Sequence, residues 1–334
     1  MSLGDSCHPL PPTVGSTVFK TVCAPKLMYG LESCVLDNVC ISEIEKTQRH
    51  CAKVIQGMPM HMPNPVPEVT LGWLSAESNV NINKMVFLYH WLTLPINCIY
   101  KQVVILRLVT FIYGDAKKAY NGPLFQAYCI MKKYGLEQNV LEVLENGNTM
   151  SVKEFRGLVR RVVAEKENSQ WKATVFLYRS LKLFRECFPK NGVNVWWSVA
   201  HFRPRLCKAA QSMLKLICGQ YKMHGAQGQA ANLSGRCAIC GDFEADDVPH
   251  LLFTCHHFLT LRDPLWGNVI STMPEPMVQH VIGLNAKDRT IFLLSGFHVS
   301  FTSEWIDIYG AVAVFAHRLY EAKVHGGIKL IVCN

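Results

Sequence analysis

Charged residues are scarce in this sequence, and no apolar run is long enough to cross a membrane. Asp, Glu, Lys and Arg make up 18% of the 334 residues, whereas 49% are hydrophobic and 10% aromatic. A chain with few charges and many aromatic residues does not have the composition of an intrinsically disordered protein. The longest uncharged apolar stretch, Met85 to Tyr100, contains Pro95 and is shorter than the roughly 20 residues of a transmembrane helix. We therefore expect a folded protein of two or three sub-domains without a membrane-spanning helix.

The sequence also lacks a secretory signal. Its first residues, MSLGDSCHPLPPTVG, contain no basic region followed by an apolar run. The 14 cysteines are therefore expected to be reduced, as core residues or metal ligands and not as a disulfide framework. An intracellular location, in the nucleus or the cytoplasm, follows from the same reasoning.

Acidic residues are few in the first two thirds of the chain. Residues 1–230 hold 27 Lys and Arg against 15 Asp and Glu, whereas residues 231–334 hold 7 against 10. A basic region of this size suits a polyanionic partner such as nucleic acid. Ordinary solvated helix faces would give the same composition, so the charge alone favours neither interpretation.

Apolar residues recur at helical spacing along most of the chain. The spacing predicts helices over residues 14–31, 41–57, 123–134, 136–145, 171–187 and 204–222, and two apolar helices over residues 76–113 that are separated near Pro95. A capping box at Ser151 to Glu154 predicts the start of another helix. A last apolar stripe at helical spacing comprises Trp305, Ile308, Tyr309, Val312, Phe315, Ala316 and Leu319. The expected fold is mainly α, made of helical-bundle sub-domains.

One group of cysteines and a histidine has the spacing of a metal site. The pattern Cys237-x2-Cys240-x9-His250-x4-Cys255 combines two thiolates of a knuckle with a later His and Cys that can complete a tetrahedron around zinc. Gly241 suits the tight turn that such a knuckle needs. Four protein ligands leave no open coordination position, which favours a structural zinc ion over a catalytic one.

Chance is the alternative explanation in a chain this rich in cysteine. Cys237 and Cys240 are, however, the only cysteines spaced two residues apart, and both other ligands follow closely. His256 and His257 are additional candidates, which we expect to be exposed or packed and not to bind the metal. We therefore predict a small zinc-binding module near the C-terminus.

Changes in composition divide the chain into six parts. They are a helical segment at 1–57, a proline-rich and extended link at 58–69, a basic helical region at 70–222, a flexible linker at 223–235, the zinc-binding element at 236–260 and a helical region at 261–334.

The sequence has no pair of aspartates of the polymerase type. Reverse transcriptases hold Mg²⁺ with two aspartates that follow an aromatic residue on a tight hairpin. The closest match here is EADD at 244–247, where Glu244 replaces the aromatic residue and the segment lies inside the candidate zinc loop. We interpret these residues as solvated loop acids.

Three stretches nevertheless resemble the thumb and zinc-binding portion of LINE-type (non-LTR) retrotransposon reverse transcriptases. VFKTVCAPKLMYGLES, from Val18 to Ser33, is similar to the segment that enters the thumb. EIEKTQRHCAKVIQGMP and LGWLSAESNVNINKMVFLYHWLTLP are similar to the thumb helix and the helical region behind it. CAICGDFEADDVPHLLFTC is similar to the zinc-binding element, and Arg262 lies where an arginine often follows it. The resemblance covers most of residues 17–265 and makes residues 1–57 thumb-like.

The resemblance implies nucleic-acid binding without implying polymerase activity. The family's fingers and palm would precede residue 17, and the nine-residue spacer between Cys240 and His250 is longer than in the compact retroviral knuckle. We predict a catalytically inactive remnant that binds RNA or DNA, holds a structural Zn²⁺ and has no small-molecule substrate. Two alternatives stay open. One is a fragment of an active RNA-directed DNA polymerase whose palm is missing from this chain. The other is a zinc-stapled protein-interaction scaffold in which an apolar helix such as 305–320 forms a dimer face.

Basic side chains on the predicted helices would supply sequence-independent phosphate contacts. The candidates are Lys46, Arg49, Lys53, Arg156, Arg160, Arg161, Arg203 and Arg205. Trp196 and Trp197 either stack on unpaired bases or pack in the core.

Overall fold

The computed structural model describes residues 10–114, 121–146, 150–188, 192–220, 237, 239–241, 247–297 and 305–324. Helices dominate these residues, and the only β pairing among them is an isolated antiparallel bridge between Leu71 and Val193. The expectation of a mainly α protein is confirmed. None of the helices described is both long and apolar enough to cross a membrane.

The α-helices are numbered in chain order. They are α1 (Pro12–Val18), α2 (Ala24–Met28), α3 (Asn38–Ile55), α4 (Ala76–Leu92), α5 (Ile99–Tyr113), α6 (Pro123–Tyr134), α7 (Glu137–Asn146), α8 (Val152–Phe176), α9 (Lys182–Cys187), α10 (Val195–Phe202), α11 (Cys207–Ile217), α12 (Leu259–Thr272), α13 (Glu275–Gly283), α14 (Ala286–Leu294) and α15 (Ile306–Val324). Two short π-helical turns, Phe19–Cys23 and His250–Thr254, complete the elements used below.

Helix ends follow local chemistry that is visible in the sequence. Pro95 separates α4 from α5 as expected, because a proline lacks the amide proton that an inner helical position needs. The capping box is formed: the amide of Glu154 donates to Oγ of Ser151 (3.2 Å), and the amide of Ser151 donates to Oε2 of Glu154 (2.8 Å). The helix expected over 171–187 differs, since α8 continues to Phe176 and α9 is a separate short helix.

The chain folds as two compact units, each built from segments that are separated in the sequence. The second unit consists of residues 18–51 and 73–173, and its core is formed by side chains of α4 to α8. The ring of Tyr89 stacks on Phe155 with 3.9 Å between centroids, and its hydroxyl donates to the carbonyl of Met150 (2.6 Å). The buried amide of Asn81 donates to the hydroxyl of Tyr134 (3.3 Å), so polar groups within this core are paired.

The first unit consists of residues 1–17, 52–72 and 174–334. Its described core includes the apolar side of α15, where the residues predicted at helical spacing from Ile308 to Leu319 are buried. α15 packs against α11 and α12. The interpretation of 305–320 as a dimer face is therefore wrong, because this apolar side is covered within the unit itself.

Both tryptophans of α10 are part of the same core. Trp196 and Trp197 are completely inaccessible to solvent. The indole nitrogen of Trp196 donates to the carbonyl of Leu294 (2.8 Å), and its ring contacts Tyr309 edge-on at 5.6 Å between centroids. Of the two interpretations of this pair, core packing is correct, since neither ring can reach a base.

The proline-rich segment 58–69 is folded into turns and is not the extended link that the sequence predicts. Its backbone closes a series of hydrogen bonds, among them Met62 N to Pro59 O (3.0 Å), Val66 N to Pro63 O (3.2 Å) and Thr70 N to Val66 O (3.2 Å). Met62 and Val66 are buried. Prolines fix the backbone in turns as readily as in extended chain, so the apolar residues between them decided the outcome.

A buried polar network connects this segment to α10. Oε1 of Gln56 accepts from the indole of Trp197 (3.0 Å) and from the hydroxyl of Thr70 (2.6 Å), while its Nε2 donates to the carbonyls of Pro67 (2.7 Å) and Ala52 (2.9 Å). One side chain therefore satisfies groups from three parts of the same unit.

Two further predictions concern the linker at 223–235 and the position of the cysteine cluster. The linker at 223–235 lies outside the described residues. The cysteine cluster precedes α12 to α15 among the described residues, so the module does not lie at the end of the chain. The remaining sub-domain boundaries stay predictions.

Replacing Gln56 with alanine should destabilise the protein by about 3 kcal/mol, because the buried indole of Trp197 loses its acceptor and a cavity remains. Gln279→Ala is the matched control, since Gln279 is exposed on α13 and its side chain bonds Glu275 (2.6 Å) and no other described residue. Its cost should stay within about 0.5 kcal/mol. Denaturant unfolding measures both values, and equal midpoints for the two variants would contradict the role given to Gln56.

Candidate metal centre and basic side chains

The four predicted metal ligands come together in the structure. The ligand atoms of Cys237, Cys240, His250 and Cys255 all lie within 4.8 Å of one another. Sγ of Cys240 is 3.4 Å from Nε2 of His250. Among the described residues this is the only group of three or more Cys, His, Asp or Glu side chains arranged to hold a metal ion. Cys237, His250 and Cys255 are buried, and Cys240 is half-buried.

A tight turn positions the first two sulfurs. The amide of Gly241 donates to the carbonyl of Cys237 (3.0 Å), and Gly241 has a φ of 78°. This left-handed conformation favours glycine, as the sequence predicted. The amides of Cys240 and Ile239 point at the sulfur of Cys237, which is the arrangement that stabilises a thiolate.

A single π-helical turn positions the other two ligands. The carboxylate of Asp247 accepts from the amide of His250 (2.9 Å), and the amide of Cys255 donates to the carbonyl of His250 (2.8 Å). The wider π turn places His250 and Cys255, five residues apart, on one side of the backbone. Asp247 is exposed and caps this turn, which agrees with its interpretation as a solvated loop acid; residues 242–246 lie outside the described part.

Residues outside the ligand set orient the ligands. Nδ1 of His250 lies 2.9 Å from Oγ1 of Thr254. With Nε2 left as the ligand atom, Nδ1 carries the proton and donates it to this hydroxyl, which fixes the ring. Nη1 of the buried Arg262 donates to the carbonyl of Cys255 (3.1 Å). The sequence argument noted Arg262 without a role and missed Thr254, whose position four residues after a ligand histidine was the available signal.

The pKa values of two of the thiols are shifted in opposite directions. Burial favours the neutral form of Cys237, but the amides of Cys240 and Ile239 and the neighbouring side chains of Cys240 and His250 outweigh it, so the pKa of Cys237 lies below its ordinary value. Burial, followed by the charge of Cys237, raises the pKa of Cys255. A second thiolate beside the first is therefore costly unless a cation lies between them.

Aromatic packing attaches the π turn to the helices that follow it. The ring of Phe253 meets Trp266 edge-on at 5.4 Å and Phe315 at 5.9 Å between centroids. The guanidinium of Arg289 lies over Phe253 at 5.1 Å. His256 and His257 are exposed and do not belong to the ligand cluster, as expected.

The eight basic candidates have different surroundings. Lys46 pairs with Glu43 (2.6 Å), Arg49 with Glu45 (3.0 Å) and Arg203 with Asp307 (2.7 Å). Lys53 is buried and its ammonium donates to the carbonyl of Met60 (2.7 Å). The other four are exposed, and no carboxylate of the described residues pairs with them; they are Arg156, Arg160, Arg161 and Arg205.

Comparison of the chain with models of protein families, with curated proteins and with solved structures gives no match. The resemblance to LINE-type reverse transcriptases stays a prediction.

The purified protein should contain about one bound metal ion per chain, because the four ligand atoms converge on one point. Cys237→Ser should lose it and should increase amide hydrogen exchange in the π turn and in α12 and α15, which pack on that turn. Elemental analysis and exchange mass spectrometry measure these effects.

Cys129→Ser is the matched control, since Cys129 is an exposed thiol on α6 outside the cluster. It should keep the metal and the exchange pattern of the unaltered protein. A metal content near zero in the unaltered protein, or an equal loss in both variants, would show that the cluster does not bind a metal.

Proposed function

We propose that this protein binds nucleic acid through exposed arginines and holds one structural zinc ion in its Cys/His cluster. The proposal follows the resemblance to the thumb and zinc-binding portion of LINE-type reverse transcriptases. Nucleic-acid binding is supported by exposed arginines that have no carboxylate partner among the described residues, in contrast to the paired basic side chains. Zinc binding is supported by the three cysteines and one histidine of the cluster.

Zinc suits the ligands better than other common divalent ions. Three thiolates and one imidazole form a set typical of structural zinc, whereas calcium and magnesium prefer oxygen ligands. Bonds of about 2.3 Å to sulfur and about 2.0 Å to nitrogen in a tetrahedron put sulfur and nitrogen about 3.5 Å apart. The 3.4 Å between Cys240 and His250 agrees with that value.

The arginines of α8 are the strongest candidates for phosphate contacts. Arg156 and Arg160 lie one turn apart on one side of the helix, with Arg161 next to them, and all three are exposed. Unpaired guanidinium groups bind phosphate oxygens without first giving up an internal partner. Arg205 is exposed in the same way in the other unit.

Catalytic inactivity is part of the proposal and rests on the sequence, where Glu244 stands in place of the aromatic residue of a polymerase hairpin. The alternative is a fragment of an active RNA-directed DNA polymerase. Primer extension on an RNA template by this chain alone would favour that alternative.

Single-stranded RNA should be retarded by the protein in a mobility-shift assay at low salt, and retardation should weaken steeply toward physiological salt because bound counterions are released. The triple change Arg156→Ala, Arg160→Ala and Arg161→Ala should lower the slope of log affinity against log salt by about 2, since each phosphate contact contributes about 0.7.

The triple change Lys46→Ala, Arg49→Ala and Arg203→Ala is the charge-matched control. It removes the same number of positive charges, but each of these residues is already paired with a carboxylate. It should change the slope much less. Equal slopes in the two triple variants would contradict specific contacts from α8, and no retardation by the unaltered protein at low salt would contradict nucleic-acid binding.

The outer side of α5 favours a second candidate function, a self-associating scaffold. Ile99, Val103, Leu106 and Tyr113 follow heptad spacing and are exposed, whereas Val104 on the opposite side is buried. Four further exposed apolar residues lie within this helix or just before it: Ile96, Tyr100, Val109 and Ile112. A large exposed apolar surface on a folded protein commonly marks a contact with another protein molecule.

Leu106→Glu should abolish this self-association, because an unpaired carboxylate would lie at the centre of the apolar contact. Sedimentation velocity should show a dimer for the unaltered protein and a monomer for the variant. Ile282→Glu is the control, since Ile282 is an exposed apolar residue on α13 and should leave the dimer intact. A monomeric unaltered protein at micromolar concentration would exclude this candidate.

A further inference from the structure

A pocket in the second unit combines basic, amide and aromatic side chains. Its volume is about 530 Å³, within the range of small-molecule sites. Three elements form its walls: residues 20–32, the middle and end of α4, and the beginning of α8. All of its lining residues belong to the second unit.

One side of the pocket is positively charged. Lys20 and Arg156 line it, and Arg160 lies near Lys20. Partial burial lowers the pKa of Lys20, and the positive charge of Arg160 lowers it further. No carboxylate of the described residues pairs with any of these three cations. Like charges held together in this way favour binding of an anion, which offsets their repulsion.

Glu32 is the one carboxylate among the lining residues, and its charge is partly engaged elsewhere. Burial lowers the pKa of Lys84, whereas the negative charges of Cys34 and Glu32 raise it. The carboxylate of Glu32 therefore lies near the ammonium group of Lys84. Glu32 therefore neutralises the cationic side only in part.

The lining of the pocket also includes two aromatic rings and an amide. Tyr29 is 88% exposed, and Phe87 is half-buried; both line the pocket. Asn83 also lines the pocket, and its side-chain amide makes no hydrogen bond with the described residues. The side-chain nitrogen of Asn79, in contrast, donates to the carbonyls of Leu74 (3.2 Å) and Ser75 (3.0 Å). The amide of Asn83 is therefore available to a ligand.

We propose that this pocket binds one nucleotide, with its phosphate on Lys20, Arg156 and Arg160 and its base stacked on Tyr29. Phe87 contributes a second apolar wall, and the amide of Asn83 bonds an edge of the base. Stacking on an aromatic ring tolerates every base, so the pocket selects an unpaired nucleotide and not a sequence. The inference rests on the proposed function. It specifies that the pocket holds one nucleotide of a single strand whose phosphates contact the arginines of α8.

The test titrates labelled pentauridylate and, separately, uridine 5′-monophosphate into the full chain, with fluorescence anisotropy and calorimetry as readouts. Tyr29→Ala and Asn83→Leu should each weaken the binding of both ligands about tenfold, since stacking and the bond to the base edge are lost. Neither change alters the net charge. Phe202→Ala is the matched control, because Phe202 is an exposed aromatic residue on α10 (57% exposed) that does not line the pocket.

The two ligands and inorganic phosphate separate the possible sources of the anion. Equal affinity for monophosphate and pentauridylate would support the pocket with a free nucleotide as its ligand, whereas much tighter binding of pentauridylate would support a nucleotide within a strand. Inorganic phosphate should compete at least about tenfold more weakly than the monophosphate, as it has no base to stack. Equal competition by phosphate would overturn the inference.

Failure of the inference differs from failure of the proposed function. If retardation of RNA depends on the α8 arginines, while Tyr29→Ala and Asn83→Leu behave like Phe202→Ala, the pocket is not a nucleotide site but nucleic-acid binding stands. If the monophosphate binds and depends on Tyr29 while RNA is not retarded, the pocket stands and the proposed function fails. Circular dichroism melts of each variant exclude loss of folding as the cause.

Discussion

Three sulfurs and one imidazole nitrogen converge on one largely buried point, and the turns and side chains around them hold them there. Their ligand atoms lie within 4.8 Å of one another. Burial raises the pKa of Cys255, and the charge of the neighbouring Cys237, whose own pKa is lowered, raises it further. A divalent cation reverses this relation, since it favours the ionised form of every thiol it contacts. The aromatic contacts of Phe253 with Trp266 and Phe315 then connect the π turn to helices that lie later in the chain.

Buried polar side chains fix the rest of the first unit in a similar way. Gln56 connects the end of α3, the proline-rich segment and α10 through one amide. Such a network is favourable only while every member is satisfied, so it determines one arrangement of these three segments. The prolines of this segment limit the backbone, burial of Met62 and Val66 favours the turns, and the amide of Gln56 pairs with Pro67 and Thr70 at the end of the segment.

The chain has a net positive charge. For binding a polyanion, the number of basic side chains that lack a carboxylate partner matters more than this total charge. Carboxylates of the protein itself occupy Lys46, Arg49 and Arg203, and exposed pairs of this kind contribute little to stability. The arginines of α8 have no such partner among the described residues. Near them a pocket contains a lysine, an amide that bonds none of the described residues and an exposed tyrosine ring. Charge and stacking are thus available within one unit, which is the combination that single-stranded nucleic acid requires.

The sequence by itself determined the helical class, the break at Pro95, the capping box at Ser151 and the four candidate metal ligands, because each depends on residues close together along the chain. The tertiary structure determined the features that depend on contacts between residues far apart in the sequence. It buried Trp196, Trp197 and the apolar side of α15 within the chain, folded the proline-rich segment into turns and gave Lys53 a carbonyl partner. It also brought Lys20 to the arginines of α8 and to Asn83. Local spacing cannot predict these contacts, because burial and pairing are properties of the packed chain and not of any single segment.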